Sequence, residues 1–297
     1  MDLRGQTDNK TVLLLEAEGK VGDAVHRSLK RKGIRVLLSP VKADDSGFLS
    51  LLEESGAGVV LPVFHPETLA SRLDSLPPGV VAPIDSREKI ELLDNKISAI
   101  ALASELGLPL MELYSSPEQI EHYPVVFKRS KGLGGSGVYF PKDRTALEHL
   151  MATSGRSGAL VMEYVDGWDC SVDALRWDNF FYGAVYRTIL PRRKGSSTLR
   201  KSIVAPELVA MTRRILDYID FHGVCGVDFR IGRDGRAYFL ECNPRFSGGL
   251  ATQIQSGFDQ PFLWWKLATG QSLDSESIRF RAGKYNVDSP LLSRRSR

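Results

Sequence analysis

Apolar side chains recur along this chain in three rhythms. Short unbroken runs come first: Thr11–Ala17, Ile34–Leu38, Gly58–Leu61 and Val80–Ala82 read as buried strands. Between them, apolar positions repeat with a helical period. Gly19–Lys32 carries Val21, Ala24, Val25 and Leu29 on one stripe and stops at Gly33, and Leu49–Glu54 and Pro66–Leu73 continue the pattern. This alternation predicts a small parallel α/β domain with helices on both faces. Asp85–Leu106 then reads as one long helix, with Leu92, Leu93, Ile97, Ile100, Ala101 and Leu102 apolar, closed by Gly107 and Pro109. The third rhythm is that of strands. Tyr123–Lys128 and Val138–Phe140 flank a glycine-rich loop, and Ala159–Val165 and Tyr182–Thr188 follow. Pro206–Phe221 and Gln260–Thr269 return to the helical period.

The sharpest alternation lies in Gly226–Gly249. Val227, Phe229 and Ile231 share one face, and Asp228 and Arg230 the other; in the second run Ala237, Phe239, Glu241 and Asn243 share a face. Asp234-Gly235 between such runs predicts a hairpin. A two-residue turn sets Asp228 directly opposite Glu241. Like charges opposed in this way destabilise a hairpin. A divalent cation turns the repulsion into binding, and Asn243 adds a carbonyl oxygen. Hard oxygen ligands of this kind suit Mg2+, with Mn2+ as the alternative ion. A three-residue loop would put the two carboxylates on opposite faces and leave a solvated acidic hairpin.

Composition narrows the classes. The chain has 297 residues, 42% hydrophobic and 25% charged, enough for two or three packed subdomains. No apolar run approaches the roughly 20 residues of a membrane span, and the first ten residues hold no signal-peptide core. Cys170, Cys225 and Cys242 form no CxxC pair, so a reducing cytoplasm is the expected setting. Net charge is +3, but residues 279–297 contribute +5 and leave −2 for the rest. The basic balance belongs to the tail and gives no argument for nucleic-acid binding.

Gly132, Gly134 and Gly137 spell GxGxxG, yet a short strand and Pro141 follow where a dinucleotide fold needs a helix. Strand, glycine loop and strand instead read as a lid whose backbone N–H groups close on phosphate. The plain alternative is a surface hairpin. Lys128 stands on the strand leading into it.

The block Glu241-Cys-Asn-Pro-Arg-Phe-Ser-Gly-Gly249 resembles the metal-and-phosphate strand of ATP-grasp ligases, in the carbamoyl-phosphate-synthase-like branch that carries Glu-x-Asn-Pro-Arg. The resemblance extends over roughly residues 90–255 and implies an α/β (α+β ATP-grasp) fold. Its expected parts are an N-terminal domain over 1–85, a lid subdomain over 86–158, a catalytic subdomain over 159–275 and a basic tail over 276–297. It also implies roles. Lys96 of Asp94-Asn95-Lys96, Lys128 and the lid (Gly132, Gly134, Gly135, Ser136, Gly137) would hold the phosphates of ATP. Glu163, Tyr164 and Val165 would form the adenine hinge. Asp169 would meet the ribose, where the family more often has Glu. Asp228, Glu241 and Asn243 would hold the metal. Arg245 would neutralise the transferring phosphoryl group, with Arg187 and Arg200 as weaker candidates for a carboxylate or phosphate.

The implied activity is an ADP-forming ligation of a small-molecule carboxylate to an amine through an acylphosphate, most simply between amino acids. It requires no side-chain nucleophile, no nucleic acid and no membrane, and a homodimer fits the family. The rivals are a ligase for a non-amino-acid carboxylate or carrier protein, and a nucleotide-binding regulatory protein without turnover.

Overall fold

A computed structural model of the chain describes residues 11–129, 137–154, 159–190 and 199–287. The glycine loop Gly132–Ser136, most of the basic loop before Arg200 and the end of the tail lie outside these residues. Among the described residues, three sheets carry the architecture.

The first sheet is parallel: β1 (Val12–Leu15), β2 (Val36–Leu38) and β3 (Val59–Pro62) in the order β2-β1-β3. Val12 faces Val36 on one side and Val59 on the other. Helices α1 (Gly19–Arg31), α2 (Phe48–Ser55) and α3 (Pro66–Ala70) cover it. Val21, Ala24, Val25 and Leu29 form the buried stripe of α1 as their spacing predicts, and Gly33 leaves the helix at φ +75°. Val80–Ala82 does not become a strand. Pro77, Pro78 and Pro83 crowd it, and proline donates no ladder bond, so only the bridge Val59–Val81 forms.

The predicted helix over Asp85–Leu106 is two helices, α4 (Arg87–Asp94) and α5 (Lys96–Glu105). Asn95 stands between them at φ −79°, ψ 116°, and its side chain accepts the N–H groups of Ile97 and Ser98. Asparagine favours such a cap because its short amide satisfies helix N–H groups that have no partner of their own. The break makes Lys96 the first residue of a new helix.

The second sheet holds β4 (Leu113–Tyr114), β5 (Val125–Arg129), β6 (Val138–Tyr139) and β7 (Ala159–Glu163), antiparallel in the order β4-β7-β5-β6. Helix α6 (Arg144–Ser154) packs Leu147 against Val125 and Phe127.

The third sheet is antiparallel and the largest. Its strands are β8 (Gly167–Trp177), β9 (Phe180–Leu190), β10 (Leu199–Ile203), β11 (Gly223–Gly232), β12 (Ala237–Asn243) and β13 (Tyr285–Val287), in the order β12-β11-β8-β9-β10-β13. Residues 285–287 of the basic tail thus pair with β10. One face sends Cys170, Val172, Val185, Val227 and Phe229 into a core with Leu208, Ile215 and Leu216 of α7 (Pro206–Tyr218). The other sends Leu175, Ala184 and Tyr186 into the core of the first domain, joined there by α8 (Leu250–Gln255) and α9 (Gln260–Ala268). Two buried donors fix α9 in that seam: Gln260 Nε2 donates to Ala174 O at 2.7 Å and Trp264 Nε1 to Pro83 O at 2.5 Å. Buried polar groups of this kind must be satisfied or they cost stability. No described helix is long and apolar enough to cross a membrane.

Candidate active site

The β11–β12 hairpin does place Asp228 opposite Glu241, by a different route from a two-residue turn. Gly232 N–H donates to Arg236 O, so the loop is the three residues Arg233–Gly235, with Gly235 at φ +83°. That register alone would put Leu240 opposite Asp228. A bulge between Phe229 and Asp228 absorbs one residue of β12: Phe229 faces Phe239, and the next pair is Asp228 with Glu241. The predicted row Ala237, Phe239, Glu241, Asn243 is therefore broken. Ala237 and Phe239 are buried in the core, and Glu241 and Asn243 join Asp228 on the other face. Phe239 N–H donates to Pro109 O across the domain, which anchors the bulged strand.

Basic residues from remote segments converge on this face. Lys128 Nζ, on β5, lies 2.6 Å from Glu241 Oε2, and Lys96 Nζ, at the start of α5, lies 3.8 Å from the same oxygen. Burial pushes the Glu241 carboxyl up, but the Lys128 ammonium, with help from Lys96, outweighs it and holds Glu241 below its ordinary value. Lys96 itself is lowered by burial, against the pull of Glu241. Asp228 moves the other way. Burial and then repulsion from Glu241 raise it to about 6, against a 2.5 Å hydrogen bond from Ser171 Oγ. Asn243 Nδ2 donates to Asp228 Oδ2 at 3.2 Å, and its Oδ1 accepts from Arg245 Nη2 at 2.9 Å.

Two facing carboxylates that repel each other supply hard oxygen donors a divalent cation takes, whereas Asn243 presents its N–H₂ to Asp228 and keeps its Oδ1 on Arg245. Among the described residues, no group of three or more His, Cys, Asp or Glu forms a complete metal cage. An ion here needs further oxygens from water or phosphate, as Mg2+ does.

The other predicted residues divide. Arg200 lies 4.0 Å from Asp173, one step along the same face. Arg187 is on the opposite face: it pairs with core-facing Cys170 and stacks 4.3 Å over the Trp168 ring. Strand alternation separates it from Asp228, so it joins no carboxylate of the site. At the hinge, Glu163 N–H donates to Glu112 O at 2.9 Å, and Tyr164 meets Phe140 edge-on at 5.9 Å. Val165 O and Asp169 Oδ1 are each bonded by Arg230, both at 2.9 Å. Gly137, at φ +84°, is the described end of the glycine loop. Arg230, which the sequence sets on the face of Asp228, thus serves the hinge; Ser171 and Asp173 belong to no motif in the sequence, although Asp169, Ser171 and Asp173 recur every second residue and so mark one polar face of β8.

Residues 156–288 match the family described as "ATP-grasp in the biosynthetic pathway with Ter operon". The arginine-specific large chain of chloroplast carbamoyl phosphate synthase from Arabidopsis thaliana is 28% identical over 243 residues, covering 75% of this chain and 20% of that protein. This chain therefore spans only about a fifth of that relative's length. Among solved structures, the biotin carboxylase domain dimer of the Hydrogenobacter thermophilus 2-oxoglutarate carboxylase, in complex with MgADP, ADP and bicarbonate, superposes with a TM-score of 0.75. Its identity is 18%, over 93% of this chain and 73% of that one. N5-carboxyaminoimidazole synthetase from Staphylococcus aureus, complexed with ADP, gives a TM-score of 0.72 at 18% identity, over 96% and 83%.

Proposed function

We propose that this chain, which belongs to the ATP-grasp superfamily, is an ADP-forming ligase that joins a carboxylate to an amine. The observation that carries the reading is the convergence on Glu241: Lys96 and Lys128 come from two separate segments, Asp228 faces it, and Asn243 links that pair to Arg245. A nucleoside triphosphate tail with its metal ion calls for cations and a carboxylate pair in this juxtaposition.

Asp228 and Glu241 would hold Mg2+, with Asn243 joining them if its amide turns its oxygen from Arg245 to the ion, and the ion would neutralise phosphate oxygens during transfer. Lys96 and Lys128 hold the phosphate tail as point charges. The substrate carboxylate attacks the γ-phosphorus of ATP, the bond to the β–γ bridging oxygen breaks, and ADP leaves. The amine then attacks the acyl carbon, phosphate departs with the acyl–oxygen electron pair, and the nitrogen loses a proton. Arg245, anchored on Asn243, offers a planar fork to the charge that develops in both steps. Amino acids on both sides, giving a dipeptide or similar amide, are the simplest substrates, and the cytoplasm is the expected setting. The dimer described for the Hydrogenobacter carboxylase domain supports a homodimer here.

The test is ADP release from ATP with pairs of carboxylic and amino acids, followed by mass spectrometry of the product. With acid but no amine, hydroxylamine should trap a hydroxamate. Tight ATP binding without ADP release for any acid and amine pair would replace the ligase with a regulatory binder.

A further inference from the structure

Next to the Asp228–Glu241 pair lies a second polar group that the proposed chemistry leaves unused. Asp173 sits on β8 opposite Gly226, two residues along from the Ser171–Asp228 pair. It is only 2% exposed, and Oδ2 has no hydrogen-bond donor among the described residues. Burial raises its carboxyl, against Arg200 and hydrogen bonds to Ser247 and Gln253. Ser247 Oγ accepts from Gln253 Nε2 at 2.9 Å and from Gly249 N–H at 3.2 Å, so its own proton is left for Asp173. A buried acid is costly unless a charge compensates it. The nearest cation is Arg200 Nη1 at 4.0 Å.

Gly249 supplies the other wall. A Cβ on Gly249 would fall 2.4 Å from Arg200 Nη1, 3.1 Å from Cζ and 3.4 Å from Cδ. The guanidinium therefore lies directly on the bare α-carbon. A methyl group there would meet only the end of a flexible side chain, so the fold survives and the guanidinium moves.

We infer that Asp173 and Gly249 are positioning residues that seat Arg200 beside Asp228 and Asn243 to receive an oxyanion, either a substrate carboxylate or the phosphoryl group in transfer. The attraction to Asp173 sets the direction of the guanidinium and the missing side chain at position 249 sets its height above the sheet. The inference rests on the ligase reading only for the identity of the oxyanion.

The test titrates the full chain with inorganic phosphate and with acetate, each with and without MgADP, and records thermal melting. The variants are Asp173→Asn, Gly249→Ala, Arg200→Ala and the two doubles that combine Arg200→Ala with each of the others. Each single substitution should weaken at least one anion about tenfold or more, the scale of one charge-assisted hydrogen bond. MgADP affinity should stay within about twofold. In the Arg200→Ala background the other two changes should add less than about twofold, because both act through Arg200. Loss confined to phosphate assigns the seat to the phosphoryl group, and loss confined to acetate assigns it to the organic carboxylate. Unchanged anion binding in the single variants, additive losses on top of Arg200→Ala, or no anion binding to the wild type overturns the inference. Wild type that fails to bind MgADP, yet shows the anion pattern, removes the ligase reading and leaves the seat standing. If Asp173→Asn does not fold, Gly249→Ala carries the test alone.

Discussion

Replacing Asp228 by asparagine should make the protein more stable and much less active, and the gain in stability should depend on pH. Asp228 is raised from 3.8 to about 6 by burial and by Glu241. A rise of roughly two units corresponds to about 3 kcal/mol of destabilisation when the group is ionised. The sign follows from proton binding. Between pH 4 and 6 the native state holds a proton that the unfolded chain has released, so native stability falls as pH rises through that window. Below it the penalty is absent; above it the penalty is complete. Asparagine never ionises and escapes it. Against this, the new amide keeps its carbonyl on Asn243 Nδ2 only by turning its N–H₂ to Ser171 Oγ, so the charge-assisted bond that Ser171 now donates is given up. That lost bond costs about 1 kcal/mol. The net gain at pH 7.5 is then about 1–2 kcal/mol, or roughly 2–6 °C in Tm for a chain of this size. At pH 4 the variant should be no more stable than wild type. Melting curves in metal-free buffer from pH 4 to 8 measure this directly. A variant less stable at pH 7.5, or one whose advantage is the same at every pH, refutes the claim that burial and Glu241 together hold Asp228 above its ordinary value. Turnover should fall by orders of magnitude, since a negative ligand is lost.

Three further outcomes follow from the same geometry. Arg245→Lys keeps the charge but loses the fork bonded to Asn243, so turnover should drop about 100-fold while nucleotide affinity, read by calorimetry, barely changes. Lys128→Met removes the ammonium 2.6 Å from Glu241 and a phosphate contact, so ATP affinity should weaken about tenfold or more; unchanged affinity would detach β5 from the nucleotide. Arg187→Ala lies on the far face over Trp168, so denaturant melts should show a loss of about 1 kcal/mol while turnover stays within about threefold of wild type.

The sequence disclosed the site more readily than the scaffold details that aim it. The alternation at Val227–Ile231 and the Glu-x-Asn-Pro-Arg block are local patterns, and the carboxylate pair follows from them. The loop length and the bulge near Leu240 were not legible, because the bond from Phe239 to Pro109 depends on chain far away in sequence. Asn95 could have been read as a cap, since asparagine inside a helical run is a recognised break, and the cap decides where Lys96 points. Arg187 and Arg200 look equivalent in a basic stretch. Arg200 pairs with Thr188, the residue after Arg187, so strand parity puts them on opposite faces. Asp173 was hidden for a similar reason: its partners are on β10 and beyond β12, and only the sheet order brings them together.

The bulged hairpin has a consequence for how this segment can change. The same stretch between Asp228 and Glu241 can be spanned in two ways, by a two-residue turn with regular pairing or by the observed three-residue turn with one bulged residue. Both keep the acids opposite each other. They differ only in whether Ala237 and Phe239 or Tyr238 and Leu240 lie under the sheet. The chemistry is thus insulated from the choice of buried row. A sequence drifting in its apolar positions could trade one hairpin for the other in a single slip, and the acidic pair would stay in register throughout.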